Sequence, residues 1–365
     1  MKHVNRRQFL LQTTTSALAL WLPTSCSSRK PYAEDPNKLG VALLGLGSYS
    51  KNRLAPALQM TQHCELRGII TGTPKKIRTW QKEYNIPDRH VYTYDTMHEI
   101  ANDDAIDVIY VVTPTGTHAQ FAIAAAKTGK HVWCEKPMAM TVEECQSIIS
   151  ACAKNKVKLS IGYRLQHEPN TQTLMSYAKH PPFGDMTRID AQAGYAGGGG
   201  NSWRFQRKMG GGALYDMGVY TVNGIRYATD RYPTTVISAK QYTDRPQLFQ
   251  EVDETTSYVL GFDDGLLAYG KTSVGQSMNQ LKVTCGSAWY ELSPMQAYTG
   301  VAGKRSDGIL LDRHITNQQA QQMDNDALAI QQNTPLLVPG EEGLKDMRII
   351  EAIIACAEKK KPVTI

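Results

Sequence analysis

The chain has 365 residues, of which 41% are hydrophobic and 20% charged. That balance fits two ordinary folded domains and excludes a disordered chain or a membrane-filling one. The formal net charge is +6. Lys2, Arg6 and Arg7 lie in a segment expected to be removed, and the remainder is too weakly basic to argue for nucleic acid.

The first 26 residues do not read as fold. Asn5-Arg6-Arg7-Gln8-Phe9-Leu10 is a twin-arginine pattern, and a short apolar run follows, ending at Leu22-Pro23-Thr24-Ser25-Cys26. A charged start, an apolar middle and small residues at the end predict a twin-arginine export signal over 1–26 and a periplasmic or otherwise exported protein. The run is too short and too rich in Thr and Ser for a good transmembrane helix. Cys26 is a candidate lipid acceptor, although Pro23 stands where an aliphatic residue is usual. The twin-arginine route carries proteins that fold before export, which suits one that takes its cofactor in the cytoplasm. Residues 27–38, with Pro31, Asp35 and Pro36, read as a linker or arm.

From Leu39 the pattern alternates strand and helix. Leu39 to Leu44 is an apolar run stopped by glycines, as in a buried parallel strand. A helix is expected from about Asn52 to Met60, a strand from Leu66 to Thr71, a helix from Pro74 to Tyr84 and a strand from Asp107 to Val112. His118 to Lys127 reads as a helix with Gly129 just past its end. His131 to Cys134 is a strand. Thr141 starts a helix with Glu143 and Glu144 in its first turn, and Val157 to Gly162 closes the series. This order predicts a parallel sheet with helices on both faces, a Rossmann domain over 39–162.

The second half, 163–365, is strand-rich: Met186 to Tyr195, Thr234 to Lys240, Thr255 to Phe262, Gly265 to Lys271, Leu281 to Cys285 and Ser287 to Leu292. One helix is expected near Gly212 to Tyr227, with few after it. Phe262-Asp263-Asp264-Gly265 reads as a hairpin turn. Glu341 to Glu358 is an amphipathic helix with Leu344, Met347, Ile350 and Ile354 on one face. The expected fold class is α/β: the Rossmann domain followed by an α+β domain on a large, mostly antiparallel sheet. The seven cysteines, at 26, 64, 134, 145, 152, 285 and 356, form no Cys-x-x-Cys pair and have no His cluster beside them. Buried free thiols are expected, and no metal site.

Gly45-Leu46-Gly47, with Ser48 and Tyr49 after it, lies between the first strand and a helix, where glycines let backbone N–H groups approach a pyrophosphate. Ser50 occupies the place where a third glycine is often found. The second strand ends in Thr71-Gly72-Thr73-Pro74-Lys75-Lys76, with no carboxylate for the ribose hydroxyls of NAD. A hydroxyl, backbone N–H groups and lysines, Lys76 among them, suit the 2′-phosphate of NADP, and NAD is the lesser expectation. Thr113-Pro114 ends the next long strand, and Glu135-Lys136-Pro137 another, at the sheet edge where ligands bind. A lysine there can orient a sugar hydroxyl and lower the pKa of a nearby acid/base. Asp216 and Tyr220, four apart behind the glycines 210–212, share one helix face.

Cys134-Glu135-Lys136-Pro137-Met138-Ala139 resembles the signature of the glucose–fructose oxidoreductase and inositol dehydrogenase superfamily. Within it the chain is most similar to glucose–fructose oxidoreductase. Supporting segments are Ile161-Gly162-Tyr163-Arg164, Trp203-Arg204, Asp216-Met217-Gly218-Val219-Tyr220, Asn223-Gly224-Ile225-Arg226-Tyr227 and Pro339-Gly340-Glu341-Glu342-Gly343. The resemblance implies that Lys136 positions substrate, Tyr220 exchanges its proton and Asp216 contacts its hydroxyls. It also implies that His118 lines the cofactor pocket and that Glu135, Arg164, Trp203 and Arg204 lie on the cofactor side. The expected activity is NADP-dependent hydride transfer on a sugar, aldose oxidation coupled to carbonyl-sugar reduction with the cofactor retained. The rival readings are a redox-assisted NAD(P)-dependent glycoside hydrolase and a non-catalytic sugar- or cofactor-binding protein. An exposed face of the second sheet would suit a homo-oligomer.

Overall fold

A six-stranded parallel sheet carries the first half of the chain in the computed structural model, which describes residues 34–197 and 202–365. The expected export signal, Cys26, the first part of the arm and most of the glycine run 197–200 lie outside the described residues. The strands are β1 (Leu39–Leu44), β2 (Cys64–Ile70), β3 (Val91–Tyr92), β4 (Val108–Val111), β5 (His131–Cys134) and β6 (Leu159–Ile161), in the order 3-2-1-4-5-6. The order reverses between β1 and β4, so their carboxyl ends open a crevice there, the place where such sheets bind dinucleotides.

The apolar runs form strands because both faces of the sheet are covered. Along β1, Val41 and Leu43 enter one core and Ala42 and Leu44 the other. Val108 and Tyr110 alternate with Ile109 and Val111 in the same way along β4, as a two-residue side-chain period requires. The intervening helices are α1 (Ala55–Leu58), α2 (Ile77–Tyr84), α3 (His118–Lys127) and α4 (Val142–Lys154). Thr141 caps α4, its hydroxyl accepting from Glu144 N at 3.1 Å.

At the amino edge of this sheet the segment before β1 is tied down. Arg67 donates to Asp35 O at 2.6 Å and Lys38 O at 2.8 Å, and Asp35 N donates to Glu65 at 3.1 Å.

The second half builds a nine-stranded sheet on the other side of α5 (Pro169–Lys179) and α6 (Val219–Thr229). Its strands are β7 (Arg188–Gly194), β8 (Thr235–Tyr242), β9 (Thr255–Gly261), β10 (Leu267–Ser273), β11 (Met278–Cys285), β12 (Ala288–Leu292), β13 (Gly303–Arg305), β14 (Leu310–Leu311) and β15 (Val363–Thr364). The order is 14-13-12-11-7-10-9-8-15, antiparallel except for the β7–β10 pair. Burial alternates along β7, β9 and β10, so one face packs on helices and the other stays half-exposed. The Phe262–Gly265 turn joins β9 to β10, with Gly265 at φ +86°.

Two helices complete the chain, α7 (Gln318–Gln331) and α8 (Gly340–Lys359). The expectation of few helices after Tyr227 missed α7. That helix is amide-rich and buries Gln318, Gln319 and Gln322 beside Met323 and Ala327, so it shows no apolar stripe. The buried face of α8 is wider than the four residues expected: Ile349, Ile353 and Cys356 lie inside it with Met347 and Ile350. It packs on α4 and on β8. Arg226 of α6 reaches α8 and pairs with the fully buried Asp346 at 2.5 Å and with Glu342 at 2.6 Å. The six described cysteines are free and buried.

Candidate active site

The glycine turn after β1 has the shape that a dinucleotide needs. Gly45 has φ +98°, and a Cβ there would lie 2.8 Å from Val112 O, so only glycine fits without strain. A Cβ at Gly47 would meet nothing within 4 Å; that side of the turn is open, and a pyrophosphate can approach the backbone. Leu46 is buried, while Ser48 is exposed and Tyr49 half-exposed. Ser50 is buried and donates its hydroxyl to Gly45 O. It closes the turn, in place of the close backbone packing that a third glycine would permit. The helix behind begins with a π-wound turn, Ser50–Leu54, before α1.

At the end of β2, Thr71 accepts from Thr73 N at 3.1 Å. A side chain at Gly72 would collide with the ring of Tyr94. Lys76 reaches back to the glycine turn and donates Nζ to Leu46 O at 2.7 Å. The two turns that would flank an adenosine ribose are thus bridged by a cation, with no carboxylate between Thr71 and Lys76. These residues fit an NADP-type nucleotide with a 2′-phosphate.

After β4, Thr113 accepts from the Thr117 hydroxyl at 2.8 Å. His118 lies 99% buried. Its Nε2 is 2.8 Å from Thr113 O and its Nδ1 2.9 Å from Pro137 O. Burial pushes its pKa down. The residue expected to line the cofactor pocket thus sits between the Thr113-Pro114 and Lys136-Pro137 loops, and as a neutral imidazole it donates to one of the two carbonyl oxygens.

Glu135 is also buried. It accepts from Tyr110 Oη at 2.8 Å and from Lys136 N at 3.2 Å, and burial raises its pKa. Gln322 of α7 donates to Tyr110 Oη at 3.3 Å. One turn on, the fully buried Asp326 accepts from Ser160 Oγ at 2.8 Å, and burial pushes its carboxyl up to about 7.

Lys136 leaves this framework and crosses the crevice. Its Nζ donates to Asp216 O at 2.8 Å and lies 4.5 Å from the centroid of the Tyr220 ring. Asp216 belongs to a second π-wound turn, Leu214–Gly218, leading into α6, which carries Tyr220. Widened turns of this kind often mark functional sites. Asp216 Oδ2 accepts from Tyr195 Oη at 2.9 Å and from Arg204 Nε at 3.0 Å; among the described residues no protein donor meets Oδ1. Burial alone would raise the Asp216 pKa, but Lys136 and Arg204 hold it below the usual carboxylate value. Tyr220 behaves alike: burial raises its pKa, yet the charges of Lys136 and Arg164 bring it below that of a free phenol. Arg204 lies over the indole of Trp203 at 4.6 Å. Arg164 is buried, 5.6 Å from the Tyr220 ring, and its guanidinium also donates to the carbonyl oxygens of Gln296 and Ala297 and to Gln318 Oε1.

The structure therefore gathers Lys136, Asp216, Tyr220, Arg204 and Arg164 around one crevice, with the glycine turn at its rim. Sequence reasoning missed Tyr195, Tyr110, Arg53 and Tyr298. Tyr298, between β12 and β13, lies 6.2 Å from the Tyr49 ring, with Arg53 4.2 Å away. None of the four belongs to a motif; Tyr195 alone stood at the end of an expected strand.

Comparison with known proteins gives one answer. Residues 39–163 match a family model described as an oxidoreductase family with an NAD-binding Rossmann fold. Residues 173–291 match the GFO/IDH/MocA C-terminal domain. The crystal structure of aldose-aldose oxidoreductase from Caulobacter crescentus, complexed with glycerol, superimposes with a TM-score of 0.86 at 34% identity, over 90% of this chain and all of that one. A D-xylose 1-dehydrogenase [NADP(+)] of Haloarcula marismortui is 24% identical over 90% of this chain and 94% of its own. Scyllo-inositol dehydrogenase from Lactobacillus casei, with bound NAD(H) and scyllo-inositol, shares the fold at 18% identity and a TM-score of 0.72, over 90% of this chain and 99% of its own. The chain belongs to the GFO/IDH/MocA oxidoreductase family, the superfamily of glucose–fructose oxidoreductase and inositol dehydrogenase.

Proposed function

We propose that this sugar oxidoreductase uses NADP, keeps it bound, and couples oxidation of an aldose to reduction of a second, carbonyl sugar. The observation that carries the proposal is Lys136 Nζ lying 4.5 Å from the ring of Tyr220, at the rim of a glycine turn that is open to a pyrophosphate. The relatives named for aldose and D-xylose chemistry, and the bridging Lys76, support the sugar and the 2′-phosphate.

When bound, the nicotinamide supplies the acceptor and donor of hydride. Tyr220 Oη takes the proton from the sugar hydroxyl during oxidation and returns one during reduction. Lys136 and Arg164 stabilise the phenolate, which brings its pKa nearer to neutral pH, where a general base works best. Asp216 stays ionised beside Lys136 and Arg204, and its free Oδ1 accepts from a second sugar hydroxyl. Tyr195 and Arg204 fix the orientation of that carboxylate. Trp203, held against Arg204, forms the wall beside it.

Export follows from the twin-arginine pattern. A protein outside the cytoplasm, where free NADP is scarce, gains from a cofactor regenerated in place. Replacing Arg6 and Arg7 by Lys should leave the protein in the cytoplasmic fraction; unchanged export would refute the signal. Globomycin sensitivity of the mature mass would decide whether Cys26 carries lipid, and light scattering would decide whether the half-exposed sheet face joins copies of the chain.

The decisive experiment combines two readings. Nucleotide released from the purified, denatured protein should be NADP(H) in stoichiometric amount. Tyr220→Phe should abolish most turnover of paired sugars while that nucleotide stays bound. Unchanged turnover would sink the role of Tyr220. Hydrolysis of glycosides without oxidised and reduced sugar products would replace the coupled reaction.

A further inference from the structure

The loop 294–301, between β12 and β13, is tied down at its base and reaches away from its own sheet at its tip. Asn279 Oδ1 accepts from the backbone N–H groups of Met295 and Gln296 at 2.8 and 2.9 Å. Gln318 Nε2 adds to Arg164 as a donor to Ala297 O, at 3.0 Å. Met295 and Val301 are buried, while Thr299 and Gly300 are exposed, with Gly300 at φ +72°. A loop held at both ends presents its tip in one place.

Tyr298 stands just before that tip. Its ring lies between two guanidinium groups, with Arg53 Cζ 4.2 Å and Arg164 Cζ 4.6 Å from the centroid. Both distances are within cation–π range, and the contact with the buried Arg164 is the more desolvated one. Tyr49 follows the glycine turn, and Arg53 stands in the π-wound turn behind it. Tyr298 therefore joins the second sheet to the helix whose N-terminus faces the pyrophosphate site. Its own hydroxyl is no candidate for proton transfer, because burial raises its pKa where that of Tyr220 is lowered.

We infer that 294–301 is a clasp for the dinucleotide and that Tyr298 is its closing residue. The inference deepens the reading that the cofactor is retained: the contacts of Tyr298 with Arg53 and Tyr49 hold the loop against the segment that follows the glycine turn, and the clasp opposes nucleotide release there.

The test is the rate of NADPH release, followed by nucleotide fluorescence after loading the full-length protein with added NADPH and chasing with NADP. Tyr298→Ala should release NADPH about tenfold faster, the order expected for losing one or two ring–guanidinium contacts. Tyr298→Phe keeps the ring and should match the wild type. Release from Tyr298→Ala at the wild-type rate overturns the clasp. If that variant does not fold, Arg53→Gln removes the exposed half of the same contact. It should speed release severalfold, and unchanged release there overturns the clasp equally. Retention is decided separately: wild-type protein purified without nucleotide refutes retention, while the comparison of release rates on loaded protein still decides the clasp.

Discussion

Replacing Lys136 by Met removes the cation beside Tyr220 and keeps most of its length. On the scale set by the 4.5 Å between Nζ and the ring centroid, a unit charge acts on another with about 3.7 kcal/mol at an effective dielectric of about 20, and about 0.9 kcal/mol in water. Tyr220 is only partly buried and Arg164 remains, so the loss of Lys136 raises the phenol pKa by an amount between these two limits. The sign follows from the chemistry. Oxidation needs the phenolate, so kcat/KM for the sugar rises as pH passes through the pKa of the free enzyme. Wild-type protein, with its lowered pKa, should reach its plateau first. Lys136→Met should show the same limb displaced to higher pH, and Lys136→Arg should hold it near the wild-type position. The assay is initial-rate kinetics across pH with nucleotide saturating. A limb that does not move, with the rate lowered equally at every pH, would refute the electrostatic role and leave Lys136 only the positioning of substrate.

Two further outcomes are expected. Gly47→Val adds a side chain where the protein offers open space, so the melting temperature of nucleotide-free protein should hardly change, while NADPH affinity should fall at least about tenfold because the pyrophosphate is displaced. Unchanged affinity would remove the glycine turn from the nucleotide site. Asp326, pushed up to about 7 by burial, binds its proton more tightly folded than unfolded. Its contribution is therefore full below its unfolded pKa and is lost as pH rises through about 7. Relative to wild type, Asp326→Asn should gain up to about 4 kcal/mol between about pH 4 and pH 8, read by urea unfolding; a pH-independent difference would contradict the burial argument.

Much of the first sheet was legible because its strands are buried on both faces. A run such as Leu39–Leu44 then has no alternative to a strand, and its glycine stop marks the crevice. Lys136 was legible from the residues around it, and Asp216 and Tyr220 from their spacing. What escaped has physical reasons. Strands β13, β14 and β15 are two or three residues long and leave no periodic trace. Helix α7 buries amides that bond to Tyr49, Tyr110 and the Ala297 carbonyl, so a hydrophobic pattern cannot reveal it. The two carbonyls beside the ring of His118 come from different loops, a meeting that no local pattern announces. Asn223, Arg226 and Glu342 belonged to recognisable segments, and their work lies away from the crevice, in the ion cluster that locks α6 to α8. Tyr298 could not be read at all: its meaning depends on Arg53, far earlier in the chain, meeting it across the crevice.

The fastening of Asp35 and Lys38 by Arg67 fixes where the chain enters the parallel sheet. Both lie at the amino edge of the parallel sheet, and the glycine turn, Lys76 and Lys136 lie at the carboxyl edge, about 20 Å away along β1. The chain therefore enters the sheet at the end opposite the crevice, clear of the nucleotide turn.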